Sequence, residues 1–128
     1  MGDQRVGWFR DALADWNEGI READWEQLHP EFELESQMLG GVVTGEEGVR
    51  RWWREIDQQF DAWQMQVTGE EDLGDGRFLV TGTLRMRGRE SGLEMDMDIA
   101  WLVRFEGDLL RYMKPFTDPQ TAREEAGL

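Results

Sequence analysis

The sequence predicts an α+β domain in which a curved antiparallel sheet is closed on one side by helices. Three observations predict it. The first half of the chain sets apolar residues at helical spacing around one strand, and the second half reads as four strands in a meander with a short helix at the end. In SGLEMDMDIAW, residues 91–101, an acid holds every second position (Glu94, Asp96, Asp98) and a large apolar residue each position between (Leu93, Met95, Met97, Ile99, Trp101). That alternation belongs to a strand with one wet face and one dry one. At 128 residues the chain is the length of a single domain, residues 1–128, with one core.

From Gln4 to Asn17, Val6, Phe9, Leu13 and Trp16 fall on one helical stripe widened by Trp8 and Ala12, and Asn17-Glu18-Gly19 supplies the stop. A second short helix is predicted over about 21–28, carrying Ala23, Trp25 and Leu28. Pro30 forces extended chain into EFELESQM, where Phe32, Leu34, Ser36 and Met38 share one side of a strand. LGGVVTG reads as a loop, and Thr44 with Glu47 resembles a capping box opening a helix that runs to about Phe60. Its apolar face is Val49, Trp52, Trp53, Ile56 and Phe60. Strands follow at about 63–73, 77–88, 93–106 and 109–117, and Asp118-Pro119 reads as the N-cap and first residue of a terminal helix.

With ESGL (90–93) as a four-residue loop, Arg89, Arg87 and Arg85 face Glu94, Asp96 and Asp98, while Met86 meets Met97 and Leu84 meets Ile99. Basic then meets acidic on one face and apolar meets apolar on the other, so register is firmly specified. Trp101 faces Gly82, which leaves room for its indole. The acidic row is therefore the outer, arginine-paired face of a hairpin.

Composition excludes several functions. A net charge of −14 with no basic run makes nucleic acid and anionic membranes poor partners. The absence of Cys removes thiolate chemistry and sulfur-bound metals, and a single histidine, His29, removes a multi-histidine site. The amino-terminal stretch has neither a long apolar run nor a cleavage signal, so a soluble, cytoplasmic protein is expected.

The stretches ADWNEGIREADWEQLHPEFE, TGEEGVRRWWREI, DLGDGRFLVTGTLRMRGRESGLEMD and FTDPQTAREEAGL together resemble the SnoaL-like, polyketide cyclase-like branch of the nuclear transport factor 2-like superfamily. The resemblance rests on the order and spacing of a helix ending in N-x-G, a Leu-His-Pro-acid lead-in, a G-x-x-G-V helix start and a closing A-G-L. It implies a cone-shaped fold, a strongly bent sheet around a pocket, and a homodimer. Against the ketosteroid isomerase branch, Ser36 falls where the catalytic aspartate stands, Ala12 at the oxyanion tyrosine, and Trp101 at the protonated aspartic acid. None of that apparatus is present, which argues against ketosteroid isomerisation by that route.

Strand alternation and this fold line the pocket with Trp8, Ala12, Leu34, Met38, Trp53 (or Trp52), Met86, Met97, Ile99, Trp101 and Phe116. Lys114, Tyr112 and Ser36 are the candidate catalytic residues. Lys114 and Tyr112 alternate with Met113 and share a side with the inward Leu110 and Phe116. A lysine there would hold a ligand oxygen, act as a base if burial lowered its pKa, or snorkel out to an acid. His29 satisfies a local backbone group.

The expected function is binding of a small hydrophobic molecule without metal or organic cofactor. Turnover would be of the isomerase, cyclase, dehydratase or epoxide hydrolase kind. The alternative is a non-catalytic ligand carrier or dimerisation module. Thr81, Thr83, Ala100 and Leu102 form an uncharged patch on the outer face suited to a dimer contact.

Overall fold

The computed structural model describes residues 3–20, 25–36 and 39–128. Helix α1, Gln4–Asn17, starts at Asp3, whose carboxylate accepts from the Arg5 backbone N–H, and buries Val6, Phe9, Leu13 and Trp16 as predicted. Of the predicted second helix, residues 25–27 form one 3₁₀ turn, Ala23 lies outside the described residues, and Leu28 already opens strand β1, Leu28–Ser36. Phe32, Leu34 and Ser36 of β1 are buried on one side; Met38 lies outside the described residues.

The stretch read as a loop contains a short strand, β2, Gly41–Thr44, antiparallel to β1. Helix α2, Gly45–Gln59, follows with Thr44 at its N-cap position, but the threonine side chain makes no capping bond, so the expected box does not form. Glu46 and Glu47 in the first turn complement the helix dipole instead. Strands β3, Phe60–Gly74, β4, Arg77–Gly88, β5, Glu94–Glu106, and β6, Leu109–Phe116, make the expected meander, and helix α3, Pro119–Glu125, closes the described chain. Asp118 caps α3 as predicted, its carboxylate accepting from the Gln120 N–H.

The six strands form one strongly curved, unclosed sheet in the order β2-β1-β6-β5-β4-β3. Every pair is antiparallel except β1 with β6. The main core lies on its concave side, where α1 and α2 pack against Phe32, Leu34, Met65, Phe78, Trp101 and Val103.

At the edge of the sheet, β3 has no strand partner on one side, and the end of α1 supplies one. The Asn17 side-chain amide donates to the Met65 carbonyl and accepts from the Met65 N–H at 2.8 Å, while Trp16 Nε1 donates to the Trp63 carbonyl at 2.8 Å. The asparagine of the N-x-G stop thus satisfies backbone groups that an edge strand leaves open. Replacing Asn17 by Ala strands both Met65 groups, and a loss of about 1–3 kcal/mol in urea denaturation is expected.

The central hairpin has the predicted faces in a corrected register. Glu94, Asp96 and Asp98 are exposed, but Arg87 faces Glu94, Arg85 faces Asp96 and Thr83 faces Asp98, a slip of two residues. Consequently Met86 meets Met95, Leu84 meets Met97 and Gly82 meets Ile99. Arg89 explains the slip, because it leaves the ladder for the end of α2. Its guanidinium donates to the carbonyls of Asp57 at 2.7 Å and Phe60 at 3.2 Å, and its backbone N–H to that of Gln59. A cation at a helix C-terminus is favourable, and the turn widens to close between the Gly88 N–H and the Leu93 carbonyl. A slip of two leaves every side chain on its own face.

Strand β6 departs from simple alternation. Phe105 pairs with Leu110, but Arg104 pairs with Tyr112, so one residue, Arg111, is extra on β6. This bulge turns the following residues over. Leu110 and Met113 enter the main core, whereas Phe116 joins a second cluster with Leu79, Ala100, Leu102 and Ala122 of α3. Tyr112 and Lys114, which share Phe116's parity, therefore lie on the convex side, and the inward placement predicted for all three is corrected. The uncharged outer patch is corrected too. Ala100 and Leu102 are buried in this second cluster beside Ala122 of α3, leaving only Thr81 and Thr83 partly or fully open.

Candidate functional site: a divided cavity in the cone

Two neighbouring chambers adjoin the aromatic core among the described residues, the second opening at the end of the sheet. The first, of about 80 Å³, is bounded by Trp8, Ala12 and Trp16 of α1, Trp25 of the 3₁₀ turn, Phe32 of β1, Trp52 and Trp53 of α2, Met65 of β3 and Met113 of β6, among others. Its rings form a curved wall: Trp53 lies 5.9 Å from Trp16 and 5.6 Å from Trp25, tilted 40° and 43° to them. No ionisable side chain lines this tryptophan chamber among the described residues.

The second chamber, of about 360 Å³, sits where β1 and β6 end. Ser36, Trp52, Trp63, Met65 and Ile99 line its inner part, with Lys114, Phe116, Asp118, Thr121 and Glu125 on its rim. Trp52 and Met65 line both spaces and form the wall between them.

The predicted residues divide accordingly. Trp8, Ala12 and Trp53 meet in the tryptophan chamber, and Ser36, Ile99, Lys114 and Phe116 in the other. Leu34 and Trp101 are fully buried in the core, Met86 and Met97 pack against it, and none of these lines either chamber. Tyr112 lines neither. His29 is locally satisfied: its Nδ1 accepts from the Glu31 N–H at 2.9 Å and its Nε2 lies 2.8 Å from a Glu106 oxygen. Sequence reasoning did not single out Trp63 and Met65, although the alternation Trp63, Met65, Val67 marks the inner side of β3.

Lys114 on the rim is paired with carboxylates. Lys114 Nζ lies 2.7 Å from a Glu35 oxygen and 3.0 Å from Glu125, and 5.1 Å from the Phe116 ring centre. The Glu35 hydrogen bond, helped by Glu125, raises the lysine above its ordinary value against the opposing effect of burial. Lys114 is thus an ammonium at neutral pH, the opposite of the lowered pKa a lysine base requires. Burial, followed by the Glu35 charge, raises Tyr112, which remains a neutral phenol. Asp118 is occupied in capping α3 and in accepting from Thr121.

Because the folded pKa of Lys114 is raised, the stability it contributes is complete below lysine's ordinary value, near 10.5, and is lost as pH rises through the folded value. The difference in urea midpoint between wild type and Lys114→Met should therefore stay constant from neutral pH to about pH 10 and shrink above it.

The inner walls also hold buried donors with no partner in the fold. Trp25 Nε1 and Trp63 Nε1 are buried without a hydrogen-bond partner, as is Trp101 Nε1 in the core. An orphaned N–H costs about 1–3 kcal/mol, and a bound acceptor would recover part of that. Ser36, 5% exposed, places a hydroxyl-bearing side chain in the same chamber as Trp63.

No protein-family model matches the sequence, and no curated protein does. Solved structures do match. A nuclear transport factor 2-like protein of unknown function from Burkholderia pseudomallei superposes with a TM-score of 0.80 at 16% identity, covering 96% of this chain and 97% of its own. A hypothetical protein of ketosteroid isomerase-like fold from Catenulispora acidiphila, in complex with trimethylamine, gives 0.74 at 14% identity, covering 100% and 95%. A candidate SnoaL-like polyketide cyclase from Jannaschia sp. gives 0.69 at 20% identity, covering 94% and 89%. No helix among the described residues is long and apolar enough to cross a membrane. The chain has the nuclear transport factor 2-like α+β cone fold and, within that fold, is similar to SnoaL-like proteins.

Proposed function

We propose that this protein is a SnoaL-like binder of a small, largely hydrophobic molecule held inside the cone. The observation that carries this reading is the pairing of an almost wholly apolar chamber with an adjoining one whose inner donors, Trp63 Nε1 and the Ser36 side chain, sit in a wall of rings and aliphatic groups. Small-molecule sites have this composition: apolar walls and a few placed polar groups.

The non-catalytic carrier reading gains support over turnover of the isomerase, cyclase, dehydratase or epoxide hydrolase type. Proton-transfer catalysis needs a group able to exchange a proton near neutrality, and Lys114 is held protonated by two carboxylates while Tyr112 is held neutral. With turnover, Ser36 and Lys114 would serve as donors to a ligand oxygen.

Tryptophan fluorescence titrated with a panel of hydrophobic ketones, lactones and epoxides tests the reading. Saturable quenching at one ligand per chain is expected, with the ligand recovered unchanged. A flat response across the panel refutes ligand binding, and consumption of a ligand refutes the carrier.

A further inference from the structure

We propose that the Met65 and Trp52 side chains are a movable partition, and that one elongated, uncharged ligand occupies both chambers. Its acceptor oxygen sits near Ser36 and Trp63, and its unbranched apolar tail lies among the tryptophans. This rests on the binding reading above and specifies the class of ligand.

Volume is the first argument. The tryptophan chamber's 80 Å³ is about half of the ~150 Å³ apolar cavity that accommodates a benzene molecule. By itself it holds a few heavy atoms. Small-molecule sites span about 300–1,000 Å³, and of these two chambers the Ser36 one, at 360 Å³, reaches that range. A ligand that outgrows this chamber gains further apolar contact by extending past the shared wall.

The wall is built to let it pass. Met65 is unbranched, with three rotatable bonds, and fills irregular space in several ways. Its backbone is fixed at both the N–H and the carbonyl by Asn17. Opening is therefore a side-chain rotation that leaves β3 in place.

Ligand chemistry follows from the lining. An indole N–H donates and cannot accept, so Trp63 selects an acceptor. On the rim, one ammonium, Lys114, stands among three carboxylates, Glu35, Glu125 and Asp118, so the mouth disfavours an anionic ligand, while a protonated amine has no lone pair to offer Trp63. A neutral ketone or ester with a chain-like tail meets these conditions; a carboxylate or an amine does not.

The test uses methyl ketones from pentanone to tridecanone, with affinities read by tryptophan fluorescence or calorimetry. In the wild type, affinity should rise about fourfold per methylene and keep rising beyond the length that fills the Ser36 chamber. Met65→Trp should halt the rise at or before that length. Ala12→Phe, which fills the tryptophan chamber without touching the partition, should halt it too and stands in if Met65→Trp does not fold. Trp63→Phe should weaken the ketones about tenfold, but not alkenes of matching shape that lack the oxygen. A rise that stops at the same length in wild type and Ala12→Phe means a fixed wall; it overturns the partition while ligand binding stands. If no ketone of the series binds, both readings fall.

Discussion

Gly82→Ala is expected to lower stability by about 3 kcal/mol, at the upper end of the range for overpacking, and to lower the melting temperature by on the order of 10 °C. Gly82 sits mid-strand in β4, with β3 on one side and β5 on the other. A Cβ added there would collide with the Gln66 carbonyl oxygen and lie 3.2 Å from the Trp101 ring. The first of these is backbone, which no rotamer change relieves. Relief requires β3 to move away from β4, and that motion pulls Met65 from its bracket on Asn17. Urea denaturation read by circular dichroism measures the loss; a midpoint equal to wild type would show that β3 and β4 do not approach this closely.

Trp101→Ala is the second large effect, with an expected cost of about 3–5 kcal/mol. Trp101 has no exposed surface and packs edge-on to Phe9 at 5.7 Å, joining β5 to α1. A folded domain has only about 5–15 kcal/mol in hand, so this one change removes a large share of it. Trp101→Phe should cost markedly less, because it keeps most of the ring while deleting an indole N–H that has no partner. Calorimetric unfolding of both variants distinguishes the contributions, and equal losses would mean that the N–H is satisfied.

Much of the fold can be read from residue patterns, since alternation and helical spacing decide which face is dry. That is why the Glu94, Asp96 and Asp98 row could be placed outside and Trp101 inside from the sequence alone. The idea that Gly82 makes room for the Trp101 indole survives even though the two are diagonal rather than opposite, Trp101 pairing with Val80.

What alternation does not encode is anything set by a distant partner. A two-residue slip leaves both faces unchanged, so the hairpin pattern carries no trace of Arg89 reaching the end of α2. A single extra residue at Arg111 inverts everything after it, and the run LLRYMKPF holds apolar groups at both parities, so simple alternation puts Tyr112, Lys114 and Phe116 on the wrong side.

The site was legible in composition more than in geometry. Trp8, Ala12, Trp53, Ser36 and Ile99 could be brought to the concave side from their periodicity. That they occupy two spaces depends on how the Trp52 and Met65 side chains lie between them, and side-chain rotation leaves no periodic signal. The covering of Ala100 and Leu102 by α3 was equally hidden, because a short helix carrying one buried alanine, Ala122, is a weak pattern.

A crystal structure of the protein grown with undecanone is the most direct measurement of whether the methionine-and-tryptophan side of the sheet encloses a ligand site. Continuous ligand density running from Ser36 and Trp63 past a rotated Met65 to the rings of Trp8 and Trp53, with the acidic row left in solvent, is the predicted result. An interior without ligand at saturating ketone, or ketone bound only on the convex face, would contradict it.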